Sequence, residues 1–182
     1  MLRLALLLAV AGLGWGQATA PAAPSTSPHP ALSKQDATTV LLYRALFNRV
    51  GSDLLQADEA KKSGKDDSKL RHHWKQDIGL TDMEEAALDK ISAAYAESFA
   101  ANFKAVRQAA TDFKKHNPTG KGDTKVLQGK LQALQDADDQ AVLSSMRQVE
   151  VGFGSQRFAV LDRYVRTTLA KSVDLSSVNG TK

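Results

Sequence analysis

The chain has 182 residues, no cysteine, and 24 basic against 20 acidic residues, a formal charge of +4. Without cysteine there is no disulfide framework, no Cys/His metal centre and no lipid-attachment site. So small a basic excess argues against nucleic acid as a partner.

The first residues read as targeting, not fold. Met1-Leu2-Arg3 is a short basic start, Leu4 to Leu13 is an apolar run, and Gly16-Gln17-Ala18 fits a small-x-small cleavage site. The pattern predicts a secretory signal peptide over 1–18. A cut after Ala20 would place Pro21 just beyond it, which disfavours that site. The apolar run falls short of the roughly 20 residues of a membrane span. The expectation is a secreted or periplasmic protein with no stable membrane span once the signal is removed. Losing Arg3 leaves 23 basic against 20 acidic residues, a mature charge of +3.

Residues 19–32 hold four of the five prolines and read as a disordered linker, with His29 solvated inside it. One helical domain is expected over 33–174, then a flexible tail over 175–182. Ser33 can cap a first helix over about 34–60, with Val40, Tyr43, Leu46, Phe47, Val50 and Leu54 at three- and four-residue spacing. The helix is expected to fade from Ala57 into the polar stretch KKSGKDDS. Ser68 can cap a short helix over about 69–77, and Gly79 fits its end.

Thr81-Asp82-Met83-Glu84 is a capping box, and the acids Asp82, Glu84 and Glu85 favour the positive end of a helix. From there no breaker occurs until Asn117-Pro118, which predicts a helix over about 82–116. Its apolar stripe is Leu88, Ile91, Tyr95, Phe99, Phe103, Val106, Ala110 and Phe113. A second long helix is expected over about 124–151, with Leu127, Leu131, Leu134, Ala137, Val142, Met146 and Val149 as its stripe.

Folding the chain back at Gly120 sets Phe113 opposite Leu127, Ala110 opposite Leu131, Val106 opposite Leu134 and Phe103 opposite Ala137. It also sets Phe99 opposite Val142, Tyr95 opposite Met146 and Ile91 opposite Val149. Two stripes read separately agree at every position, so a long antiparallel helical hairpin is expected. GFGS ends the second arm, Ser155 can cap a helix over about 156–171, and Phe158, Leu161, Val165 and Leu169 line its face. A hairpin cannot bury both its sides alone, so the first and last helices are expected to cover it. The fold class is all-α: the hairpin plus the N-terminal, short and C-terminal helices in one bundle.

The stretch HHWKQDIGLTDMEEAAL, His72 to Leu88, collects the most reactive side chains. Adjacent histidines point about 100° apart on a helix, so His72 and His73 do not face one another. His73 and Asp77 form the one i, i+4 pair in this stretch, and zinc needs three or four ligands. No metal or other cofactor is therefore expected, with His73 and Asp77 the only metal candidates. The acids are accounted for by capping at a solvent-exposed helix start, so no catalytic residue is expected. Trp74 is expected to anchor the junction.

Lys104, Arg107, Lys114 and Lys115 flank the stripe of the first long helix and could bind a membrane or a partner helix. The expected register sets Lys104 opposite Asp136, with Asp138 and Asp139 nearby, and favours pairing within the chain. Such exposed pairs are worth about 0–1 kcal/mol each.

The element LTDME, Leu80 to Glu84, resembles the L-T-x-x-Q/E element of periplasmic helical proteins of the Spy/CpxP type. That resemblance implies an ATP-independent chaperone or envelope-stress modulator acting as a dimer. Those proteins usually carry the element twice. The second candidate position here, GFGSQRFAVLDRY, keeps a helix start but not the motif. The wider pattern, LYRALFNRV, KSGKD, LRHHW, GLTD and FAVLDRYV, is similar to a group of small secreted helical proteins of soil bacteria, which implies no activity. The expected function is non-enzymatic binding of a protein partner or unfolded clients in the envelope, chaperone-like, compatible with a homodimer. An adaptor bundle for one specific partner, or envelope metal sensing through His73 and Asp77, are the alternatives.

Overall fold

The computed structural model describes residues 33–117 and 124–175. The expected signal peptide, the linker, the hairpin turn at 118–123 and tail residues 176–182 lie outside the described residues. Those described form five α-helices and no strand: α1 (Lys34–Lys62), α2 (Ser68–Ile78), α3 (Asp82–His116), α4 (Lys125–Phe153) and α5 (Ser155–Thr167), ending in a 3-10 turn, Leu169–Ser172. No helix among them is long and apolar enough to cross a membrane.

The helix ends follow local chemistry. Ser33 Oγ accepts from the Asp36 N–H at 3.2 Å and caps α1. α1 runs to Lys62, the end of the stretch over which it is expected to fade, and Ala57 within its last turns is fully buried. Ser68 is not a cap but the first helical residue of α2, with its N–H donating to Asp66 Oδ1 at 2.9 Å. Gly79 ends α2 at φ 73°, a left-handed conformation that glycine adopts without steric cost. The capping box is formed: Thr81 Oγ1 accepts from the Glu84 N–H at 3.3 Å, and Glu84 Oε2 accepts from the Thr81 N–H at 2.7 Å. α4 continues through Gly152 and breaks at Gly154, whose φ is 72°. Gly154 therefore takes the cap position expected for Ser155, which becomes the first residue of α5.

α3 and α4 pair as a long antiparallel hairpin against which α1, α2 and α5 pack. Two places bear on the register. A β-carbon placed on Gly152 would lie 3.9 Å from that of Ala87. Near the tip, Ala109 and Phe113 share a shallow open cleft with Leu127 and Lys130. The first falls within one position of the expected fold-back; midway the fit is looser, since the Tyr95 hydroxyl bonds Asp138, eight residues tipward of the expected Met146.

The core lies at the base of this hairpin. Tyr43, Leu46, Phe47 and Val50 of α1 meet Leu88 and Tyr95 of α3, Val142 and Val149 of α4, and Leu161 and Val165 of α5. Phe47 sits 5.6 Å from Tyr95, ring to ring, and Tyr43 stacks on Phe158 at 6.1 Å. The covering helices stop part-way. On α3 the last buried residue toward the tip is Tyr95, and on α4 it is Asp138. Beyond them the hairpin extends as a two-helix arm about 30 Å long on the α3 side. The expectation that the first and last helices cover the hairpin therefore holds for its base and fails for its arm.

Candidate functional site

The chemically dense stretch His72 to Leu88 forms the seam between α2 and the start of α3. Trp74 is the anchor expected there: it is buried, its Nε1–H donates to Asp53 Oδ2 of α1 at 2.9 Å, and Tyr164 meets it edge-on at 6.3 Å. The two histidines diverge as their spacing requires. His72 Nδ1 lies 2.9 Å from Glu85 Oε1, while His73 turns to α1, its Nε2 3.6 Å from Asp53 Oδ2. Asp77 faces α5, 3.5 Å from the Tyr164 hydroxyl. The structure thus gives His73 and Asp77 separate partners. Among the described residues no group of three or more His, Asp or Glu side chains is placed to hold a metal ion.

The helix start is not in solvent. Glu84 and Glu85 are buried, and only Asp82 is exposed, paired with Lys75. Arg157 of α5 covers Glu84 bidentately, Nε to Oε1 at 2.7 Å and Nη2 to Oε2 at 2.9 Å, and its Nη2 also donates to the Gly79 carbonyl at 2.7 Å. The Arg157 bonds foremost, then the capping bonds from Thr81, hold the Glu84 carboxyl down at about 2 against its own burial. Capping alone therefore understates these acids, which also tie three helices together. What the seam does chemically is clamp α2 and α5 onto α3.

Asp89, one turn beyond Glu85, is a titrating group that spacing did not single out. Burial first and the Glu85 charge second push it up to about 6, while Arg71 and His72 across the seam pull it down.

A second polar network closes the base toward the arm. Arg44 Nε of α1 donates to Asp138 Oδ2 at 2.8 Å, and Arg44 Nη2 pairs with Asp139. Tyr95 donates its hydroxyl to Asp138 Oδ1 at 3.0 Å. Burial and the Asp138 charge push the Tyr95 hydroxyl pKa up, so it stays a neutral donor. The sequence carried a signal for this network: Asp138 lies four residues from both Leu134 and Val142, on the apolar stripe itself, and a carboxylate there needs a buried partner. The expected stripe residue Ala137 is exposed instead.

Arg44 also overturns the pairing expected for the basic face. Asp138 and Asp139 belong to Arg44, and Asp136 accepts from Gln132 of its own helix at 2.8 Å. Lys104, Lys114 and Lys115 make no ion pair with any described residue. Arg107 lies over the Phe103 ring at 6.0 Å. All four cations are exposed. The described arm, 99–117 and 124–137, carries six basic residues against two acidic, or +4. The other described residues carry 15 basic against 17 acidic, or −2.

Between the arm helices, Phe99, Phe103, Val106, Phe113, Leu127, Leu131 and Leu134 are each only half-buried. At the tip Val126 is 67 % exposed, beside the cleft lined by Ala109, Asp112, Phe113, His116 and Lys130. The arm, with its apolar seam and basic flank, is the candidate site, and what it can do is bind. Comparison with known proteins gives no match: no family model, no curated protein and no solved structure.

Proposed function

We propose that this chain is a non-enzymatic protein-binding factor of the cell envelope, chaperone-like in mode, whose hairpin arm engages a partner or unfolded clients. The observation that supports it is that full burial ends at Tyr95 and Asp138, beyond which a seam of seven apolar side chains is only partly covered. Partly covered apolar surface is what a reversible protein-binding site needs. The apolar start at Leu4 to Leu13 supports an extracytoplasmic setting, and the LTDME element supports the chaperone-like class.

The test is aggregation of a chemically unfolded client, followed by light scattering with the protein at near-equimolar ratio. Wild-type protein is expected to slow aggregation, and the paired substitution Phe103→Gln with Leu131→Gln to remove most of that effect while leaving the base folded by circular dichroism. No effect of wild-type protein on several clients ends this reading.

A further inference from the structure

The face of the hairpin that α1 covers at the base does not stop where α1 stops. α1 meets α3 at Gly51, where a β-carbon would lie 2.9 Å from that of Ala96 and 3.2 Å from the Ser92 carbonyl oxygen. It meets α4 where Arg44 reaches Asp138 and Asp139. Steps of three and four residues keep to one helix face. From Ala96 toward the tip they lead through Ala100 to Phe103, Arg107 and Lys114. From Asp139 they lead to Gln135 and Gln128. Apart from half-buried Phe103, these positions are exposed. The face that α1 covers at the base thus runs on along the arm, where no described helix covers it, with a groove along the line between its two helices.

Its chemistry changes on the way. At the base the hairpin offers carboxylates and α1 supplies the cation. Along the arm the groove offers Arg107 and Lys114, bordered by Lys104 and Lys115, beside uncharged glutamines. The two acids of the described arm are taken up locally: Asp112 accepts from Gln108 at 2.8 Å and Asp136 from Gln132. We propose that this groove takes an acidic amphipathic helix of a partner protein, laid along the arm as α1 is laid along the base. Its apolar stripe would cover the half-buried seam around Phe103, and its carboxylates would meet Arg107 and Lys114, two turns or about 10 Å apart.

Other occupants fit less well. An anionic lipid surface would want several exposed apolar side chains beside the cations, yet among the described arm residues Val126 is the one large apolar side chain that is exposed, and it lies beside Ala109 and Lys130, away from Arg107 and Lys114. The α1 helix of a second copy carries five basic and four acidic residues and lacks the negative excess. The proposal rests on the reading that the arm binds protein, and it narrows the partner class.

The test uses the full chain and three labelled peptides of about three heptads. One has a Leu stripe flanked by Glu, one the same stripe flanked by Lys, and one is the scrambled Glu peptide. Binding is read by fluorescence anisotropy, with sedimentation of phosphatidylglycerol vesicles in parallel. The Glu-flanked helix is expected to bind at least about tenfold more tightly than the other two, and to weaken with salt. The four-fold variant K104E/R107E/K114E/K115E, whose changes are all at exposed positions, is expected to lose about tenfold for that peptide and to prefer the Lys-flanked one. Equal affinity for Glu and Lys peptides, unchanged binding by the variant, or binding to vesicles alone would overturn the proposal. If wild-type protein suppresses client aggregation but binds no peptide, the acidic-helix assignment fails and the arm reading survives; if it does neither, both fail.

Discussion

The base and the arm of the hairpin are built from the same two helices and the same apolar periodicity, yet they end up as different materials. At the base, Leu88, Val142 and Val149 are almost fully buried, because three further helices close over them. In the arm, Phe103, Leu131 and Leu134 continue the same stripes and are only partly buried. An apolar stripe shows which face of a helix seeks cover, not whether cover arrives. The polar chemistry divides at the same place. In the base, acids such as Glu84, Asp138 and Asp139 are held by arginines from other helices, whereas Lys104, Lys114 and Lys115 of the arm make no ion pair with any described residue.

The largest expected difference between the two regions is in packing. Phe47→Ala removes a fully buried ring between Tyr43 and Tyr95 and should cost about 4 kcal/mol in urea unfolding. Phe113→Ala, in the partly buried seam, should cost about 1 kcal/mol. Equal costs would mean that the arm is covered in solution, by a partner copy or otherwise.

A smaller effect is expected from charge at the boundary. Arg44→Met leaves Asp138 and Asp139 without their cation in a largely buried site and should cost about 3 kcal/mol. Lys104→Met in the arm should change stability by less than about 0.5 kcal/mol. A cost for Lys104→Met near that of Arg44→Met would show an ion pair in the arm and break the contrast.

The smallest effect is a pH dependence confined to the base. The Asp89 carboxyl is raised from 3.8 to about 6, so the folded chain binds that proton more tightly than the unfolded chain. Stability from this group is therefore present at low pH and declines as pH rises through about 6, opposite in sign to Glu84, whose stabilisation is lost as pH falls toward 2. Asp89→Asn should raise the melting temperature by a few degrees at pH 7.5 and leave it unchanged near pH 4. Hydrogen exchange should place the change in α2 and the first turns of α3. A pH response centred in the arm would contradict this assignment.

Much of the molecule was legible in residue order. The stops at Gly79 and Asn117, the capping box at Thr81 and Glu84, and the two apolar stripes place the long helices and their antiparallel pairing. These features depend on neighbours a few residues away, so spacing alone encodes them. Ser68 and Ser155 show the limit even there: both were plausible caps, and each lies one residue inside its helix. The ownership of Asp138 and Asp139 needed the position of Arg44, 94 residues away from the first of them. The buried, arginine-bound state of Glu84 needed Arg157, and the raised Asp89 needed its tertiary burial, which its spacing from Glu85 does not give. Where cover ends along the hairpin was likewise decided only by tertiary structure, since it depends on how α1 and α5 lie across helices whose own pattern runs on unchanged.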